Sequence, residues 1–434
     1  MHRGEVNIIT LGCSKNLVDS EQLIRLFASS GYRVRHDPKR ITGEIVVVNT
    51  CGFIAAAQEE SINTILGFVE AKKSGRIAKL IVMGCLSERF RDELESEIPE
   101  VDAFYGKFDW HKMLSDLGVA TRAILGERML TTPHHYAYMK ISEGCNRHCS
   151  YCAIPIITGN MKSRPISELV QEGKTLASKG VTEIQLIAQD LTSYGSDMGK
   201  KGALRDLLLS LSDIKGIRRI RLHYAYPTGF PREIIPVIRE RENICHYLDI
   251  ALQHASNKML RLMRRGITKE ETIDLIQYIR SEVPDIVLRT TMMVGHPGEE
   301  EKDFDELLDF VESTRFERLG AFAYSHEKDT YAYKYYEDNV PQKIKAERLE
   351  QLMNCQEPIG ASFSDSLIGK QMEVLIDRTE SDYYIGRTEY DSPEVDPEVL
   401  IPKEQTRGLV TGHYYMCEIT ATEGFDLVAH PIVQ

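Results

Sequence analysis

The chain has 434 residues, 42% of them hydrophobic and 27% charged, with nine cysteines and a formal net charge of -12. Such a length accommodates two or three domains with buried cores, and the acidic balance argues against broad, non-specific binding to nucleic acid. The odd cysteine count, with no basic, apolar signal segment before Glu5, argues against a secreted disulfide framework; no apolar run approaches the ~18 residues of a membrane span, so reduced thiols and a cytoplasmic location are expected.

The first third of the chain repeats one pattern three times. An apolar strand signal over Val6 to Thr10 ends in Leu11-Gly12-Cys13, a second over Glu44 to Val48 ends in Asn49-Thr50-Cys51-Gly52, and a third over Leu80 to Met83 ends in Gly84-Cys85. Amphipathic stretches of helical period follow, over Ser20 to Ala28, Ala55 to Glu70 and Glu88 to Glu97. Strands alternating with helices predict a parallel sheet whose crevice lies beyond the carboxyl ends of the strands. Any one of Cys13, Cys51 and Cys85 reads equally as a small buried hydrophobe. Three at the same topological position, each beside a glycine that lets backbone approach a bulky ligand, predict a three-thiolate cluster site.

Gly144-Cys145-Asn146-Arg147-His148-Cys149-Ser150-Tyr151-Cys152 carries a C-x3-C-x2-C triplet. A structural zinc site is saturated by four Cys or His, and an iron–sulfur electron carrier normally gives each cluster four thiolates. Three thiolates therefore leave one iron of a [4Fe–4S] cube open for a small molecule. The competing reading is a three-cysteine zinc site that borrows His148, although zinc motifs favour paired C-x2-C knuckles. Followed by Ala153-Ile154-Pro155, the triplet resembles the radical S-adenosylmethionine superfamily, which implies S-adenosylmethionine at the open iron.

Strand-like runs then recur over Tyr138 to Ser142, Glu183 to Ala188, Arg219 to Tyr224, Tyr247 to Leu252, Ile286 to Val294 and Arg318 to Tyr324. Helical segments over Ile166 to Ser178, Leu204 to Leu211, Arg232 to Arg239, Lys269 to Glu282 and Glu301 to Ser313 lie between them, predicting a partial (β/α)6 barrel with its chemistry at the carboxyl ends of the strands. A zwitterionic, cationic cofactor needs donors for its carboxylate, acceptors for its amine and ribose, and an apolar slot for adenine. Gln189, Gln253 and Arg289 are the candidates for the polar part, and Tyr151 and Val294 for the adenine walls. Singly, each has a structural alternative: His254 satisfies a buried backbone group, and Gly295 to Gly298 form a turn before the next helix.

From Ser366 to Gln434, short β-rich runs (Gln371 to Ile376, Tyr383 to Arg387, Leu409 to Ile419, Leu427 to Ala429) predict a small five-stranded, OB-like barrel. Its five basic and thirteen acidic residues are the wrong sign for a phosphate backbone. An acidic barrel suits a basic protein partner, with Asp391, Glu394, Asp396 and Glu398 as the expected docking face; a solvated surface serving solubility is the alternative.

Leu11 to Glu21, Asn49-Thr50-Cys51, Met83-Gly84-Cys85, the triplet, Leu248 to His254 and Thr290 to Glu299 together resemble the methylthiotransferases, over nearly the whole chain. The resemblance implies an α/β multidomain protein: an N-terminal parallel α/β methylthiotransferase domain over 1–122, a radical S-adenosylmethionine barrel over 131–362 and a C-terminal TRAM β-barrel over 366–434. It implies two [4Fe–4S] clusters, on Cys145, Cys149 and Cys152 and on Cys13, Cys51 and Cys85, with S-adenosylmethionine cleaved at the first and a methylated sulfur delivered from the second. The Ser14 to Asp19 stretch is similar to the RimO-type branch, which modifies an aspartate of small-subunit ribosomal protein twelve. That branch implies an electron donor such as flavodoxin or ferredoxin, a sulfur donor, no membrane and no direct tRNA substrate. A tRNA adenosine methylthiotransferase of the MiaB type and an iron–sulfur carrier without turnover are the other readings. Ala251, His296 and Lys328-Asp329 depart from the family pattern without removing a cluster ligand. Cys245, Cys355 and Cys417 have no partner at ligand spacing and are expected to be packing residues.

Overall fold

Alternation of strand and helix through the first hundred residues produces a five-stranded parallel sheet. Its strands are β1 (Glu5–Thr10), β2 (Arg33–His36), β3 (Ile45–Thr50), β4 (Lys79–Gly84) and β5 (Ala103–Phe104), in the order β2-β1-β3-β4-β5. The structure, a computed structural model, describes residues 4–41, 43–119, 128–404, 406 and 408–432; the expected domain limits at 122 and 434, and Arg407, lie outside them. Both faces of the sheet are apolar because helices cover both. Val6, Ile8 and Val47 pack with Leu23 and Phe27 of α1 (Ser14–Ser29). Val46, Val48 and Val82 pack with Ile65 and Val69 of α2 (Ala55–Lys73), joined by Leu86 and Leu94 of α3 (Cys85–Glu97). β1, β3 and β4 are neighbours in near-flush register, Thr10 opposite Asn49 and Thr50 opposite Gly84, so their carboxyl ends form one edge.

A second sheet is parallel throughout: β6 (Tyr136–Lys140), then, after the short antiparallel pair β7 (Ser142–Glu143) and β8 (Lys162–Ser163) that brackets the cysteine triplet, β9 (Glu183–Ile187), β10 (Arg219–Ala225), β11 (Ile244–Gln253), β12 (Val287–Val294) and β13 (Arg318–Ala323). The order β13-β12-β11-β10-β9-β6 is that of an open six-stranded barrel. The expected helix over Arg232 to Arg239 divides into a 3-10 turn (Arg232–Ile234) and a helix (Ile235–Glu240), whose first turn contains Pro236, a residue without the N–H that a continuous helix would use there. Glu327, beyond β13, joins the two sheets: its carboxylate accepts from the Ala55 N–H (2.8 Å) at the start of α2, from Gln58 (2.7 Å) and from Arg89 (3.1 Å), which suits the positive end of a helix.

The helix Gln342–Asp365 leads to a closed barrel of β14 (Gln371–Thr379), β15 (Tyr383–Arg387), β16 (Val399–Pro402), β17 (Tyr414–Glu423) and β18 (Asp426–Pro431). β17 begins later than expected because Gly408 and Gly412 hold left-handed turns (φ 86° and 84°) before it. Half of the expected acidic docking face is not on the outside: the Asp391 and Asp396 side chains are buried, whereas Glu394 is exposed and Glu398 half-buried. Asp391 is 1% exposed and accepts from Arg318 at 2.8 Å, Asp396 pairs with Arg289 at 3.2 Å and accepts the Tyr247 hydroxyl at 2.7 Å, and Glu394 takes the Tyr138 hydroxyl at 3.3 Å. Glu398 is held by Arg378 within the small barrel. Two of the four acids, Asp391 and Asp396, thus point into the amino-terminal mouth of the six-stranded barrel, where Arg318 and Arg289 near the strand starts neutralise them. A charge count along the chain cannot see partners 73 to 149 residues away.

Candidate active site

Cys13 follows β1 and precedes α1, Cys51 lies just past the end of β3, and Cys85 opens α3 beyond the end of β4. Glycine is required beside each by close approach. A Cβ on Gly12 would lie 2.8 Å from Cys51 Sγ, one on Gly52 2.6 Å from the Leu86 backbone, and one on Gly84 2.5 Å from Asn49 Oδ1. Asn16 ties the three loops together: its Nδ2 donates to the Leu11 (2.9 Å) and Thr50 (3.0 Å) carbonyls, and its Oδ1 lies 3.6 Å from Cys85 Sγ. Ser61 brackets Cys51, accepting from its N–H and donating to its carbonyl. Cys13 is exposed, Cys85 half-buried and Cys51 buried, so the edge opens toward Cys13.

The triplet is held by the hairpin around it and by two arginines. Gly144 has φ 76°, and a Cβ there would strike the Asn160 carbonyl. Arg147 is clamped by Asp190 (2.8 Å), Ser193 and the Thr228 carbonyl. Arg265, 3% exposed, donates to Cys149 Sγ at 3.4 Å and to the Tyr151 hydroxyl at 3.2 Å, while Tyr226 places its hydroxyl 3.4 Å from the same sulfur. Burial pushes the Cys85 thiol up to about 12 and the Cys145 thiol up to about 11, and raises Cys51 and Cys152 as well. Thiols held this high would become thiolates by exchanging a proton for a metal. Among the described residues, no three His, Cys, Asp or Glu side chains are grouped closely enough to hold a single metal ion. A four-iron cube, unlike one zinc ion, separates its ligand sulfurs widely.

The expected cofactor contacts divide. Gln253 ends β11 with φ 75°, 7% exposed, and its Oε1 has no hydrogen-bond partner; Gln189, just past β9, donates to Glu143 at 2.5 Å and its Oε1 is likewise unpartnered. Both stand at carboxyl ends of strands, with an acceptor free for a cofactor amine. Val294 ends β12 inside the core, and Tyr151 packs with Met259, Met263 and Met293. Arg289 is elsewhere: it is the third residue of β12, paired with Asp249 (3.7 Å) and Asp396 (3.2 Å), so its guanidinium serves the contact with the small barrel.

A link between the two cysteine sets was not legible in the sequence. Lys107, 5% exposed, pairs with Asp19 at 2.8 Å; Lys140 bonds the other Asp19 oxygen and Glu143 (2.6 Å), two residues before Cys145. Burial alone would raise the Asp19 carboxyl, but Lys107 and Lys140 outweigh it and hold it below its ordinary range. Arg265 precedes Gly266 and follows Arg264 (φ 57°), a turn signal that says nothing of the sulfur it reaches.

Comparison with known proteins agrees with this geometry. The Radical SAM superfamily model matches residues 139–311, the model for uncharacterized protein family UPF0004 matches 5–106, and the TRAM domain model matches 368–432. The ribosomal protein uS12 methylthiotransferase RimO of Porphyromonas gingivalis is 61% identical over 430 residues, 99% of each chain. The protein of the same description from Parabacteroides distasonis is 59% identical over 98% of this chain and 99% of its own. Among solved structures, the radical S-adenosylmethionine methyltransferase TsrM from Kitasatospora setae, with cobalamin and a [4Fe–4S] cluster bound, is similar at a TM-score of 0.54 and 15% identity, over 74% of this chain and 75% of that one. At that identity the likeness concerns the fold.

Proposed function

Because the chain belongs to the family of ribosomal protein uS12 methylthiotransferases among the radical S-adenosylmethionine enzymes, we propose that it inserts a methylthio group at the β-carbon of an aspartate of uS12. Cys145, Cys149 and Cys152 would hold the [4Fe–4S] cluster that engages S-adenosylmethionine, and Cys13, Cys51 and Cys85 a second cluster that carries the sulfur. One observation carries this reading: two three-cysteine sets lie at carboxyl strand ends of two different parallel sheets, joined by a link of the buried Lys107 with the half-buried Asp19, Lys140 and Glu143. When bound, these groups supply radical chemistry able to take hydrogen from an unactivated carbon and sulfur to replace it, which no side-chain acid or base provides.

The chain's own residues position and insulate. The glycines beside Cys13, Cys51 and Cys85 leave room for a bulky cluster, and Asn16 fixes the spacing of the three loops. Arg265 sets a buried cation against Cys149, offsetting thiolate charge. Gln189 and Gln253 would offer their unpartnered oxygens as acceptors to the cofactor amine, and Tyr151 and Val294 would supply the apolar walls for its adenine. An electron donor such as flavodoxin or ferredoxin and a separate sulfur donor complete the cycle, in the cytoplasm where ribosomes are. Among the described residues no helix is long and apolar enough to cross a membrane.

Mass spectrometry of uS12 and of bulk tRNA from cells with and without the gene tests the reading. Loss of a methylthio group from one uS12 aspartate, with tRNA unchanged, is expected. Loss from tRNA alone would assign the chain to the tRNA-modifying type.

A further inference from the structure

Lys15 lies in the first turn of α1, two residues past Cys13, where an ammonium meets the positive end of the helix dipole and weakens the helix. Its natural partner one turn along, Asp19, is already bonded to Lys107 and Lys140. Among the described residues no carboxylate stands within ion-pair distance of Lys15. Its Nζ instead lies 3.5 Å from the centroid of the Tyr224 ring. Tyr224 is the penultimate residue of β10, on the carboxyl rim of the open barrel, and the only exposed residue of that strand at 36%. It holds φ 61°, a left-handed conformation that non-glycine residues keep only when their surroundings enforce it; here its N–H donates to Asp249 Oδ2 at 3.2 Å. A lysine of the first domain is thus carried onto the rim of the second, two residues past Cys13, with no hydrogen-bond acceptor for its ammonium among the described residues.

Resting on the functional reading above, we propose that Lys15 receives the side-chain carboxylate of the substrate aspartate. The reacting carbon of that residue is bonded to its carboxylate, so a cation near Cys13 at the barrel rim fixes the carbon where both cysteine sets can act on it. The other cations nearby are committed: Lys107 and Lys140 to Asp19 and Glu143, and Arg265 to Cys149 and Tyr151. The Tyr224 ring holds the ammonium by a cation–π contact, and Asp249, which feels its charge, is not within ion-pair distance of it, so its N–H donors remain for an incoming anion. Lys15 exchanges no proton or electron here; it binds and orients.

The test compares a peptide spanning the modified uS12 loop with its Asp→Asn counterpart, using reconstituted full-length enzyme, Lys15→Gln, Lys15→Arg and Tyr224→Leu. Lys15→Gln should raise KM for the aspartate peptide about tenfold to a hundredfold, the range of a charge-assisted hydrogen bond, and leave binding of the asparagine peptide unmoved. Lys15→Arg should recover part of the loss, and Tyr224→Leu should show a smaller loss of the same selectivity. Equal iron content in all variants establishes that they fold and load. Undiminished preference for aspartate in Lys15→Gln overturns the proposal. So does a fall in peptide-free 5′-deoxyadenosine formation that accounts for the whole loss, since Lys15 would then serve the cofactor. Unaltered enzyme that modifies no uS12 peptide overturns the functional reading itself.

Discussion

His296 shows how a single side chain acquires a role that its place in the chain does not announce. The imidazole is fully buried, its Nδ1 lies 3.0 Å from the Pro297 carbonyl and its Nε2 3.0 Å from Ser150 Oγ, so Nδ1–H donates and Nε2 accepts the serine proton. It braces the triplet loop in neutral form, and burial lowers its pKa to about 4. With the folded pKa below the unfolded one, the folded state binds fewer protons between about pH 4 and 6.5, so stability is constant above this window and falls as pH drops through it. Between about pH 7 and pH 5 the loss due to His296 should be roughly 2 kcal/mol. Urea unfolding at both values should show a smaller acid sensitivity in His296→Phe than in the unaltered protein; equal sensitivity would remove this account. The positions of the six cysteines past strand ends were legible because strand ends and cysteine spacing are both written locally. Arg265, Lys107 and the true partners of Arg289 were not, because a cation's partners are set in three dimensions.

Among the elements, the parallel strands were legible where apolar residues run together, as in β3 and β4. β2, with the sequence Arg33-Val34-Arg35-His36, is an edge strand with one apolar residue and gave no pattern to read. The strand-to-helix turns carry the site, and their glycines are not equivalent to those elsewhere. Gly84, at φ 103° with no room for a Cβ, joins β4 to Cys85; Gly84→Ala should destabilise the protein by more than ~1 kcal/mol and deplete iron from one of the two sites, as read by unfolding and iron analysis. Gly67, inside α2 and exposed with open space around its Cα, behaves oppositely: Gly67→Ala should stabilise by about 0.5–1 kcal/mol with iron unchanged.

At the scale of the whole molecule, the number and kind of sheets were legible, but their mutual placement was not. The small barrel closes the amino-terminal mouth of the large one through Arg387, which pairs with Glu183 (2.9 Å) and Asp377 (2.5 Å), while Arg221 takes Glu183 at 3.2 Å and His135 takes Asp377 at 2.8 Å. Removing one member of such a group leaves an uncompensated buried charge, so Arg387→Leu should cost about 3–5 kcal/mol, seen in the unfolding midpoint and in protease sensitivity of the small barrel. Asp391→Lys should act likewise, through stability and not through salt-dependent docking. With the base of the large barrel closed in this way, both cysteine sets lie toward the opposite rim. The proposed division of labour between them is tested most directly by replacing Cys13, Cys51 and Cys85 together with alanine and measuring 5′-deoxyadenosine and methylthio-uS12 in the same reaction. Continued 5′-deoxyadenosine formation with no methylthio product, and roughly half the iron, is expected. Loss of all iron and of 5′-deoxyadenosine from a protein that remains folded would contradict two separate cluster sites.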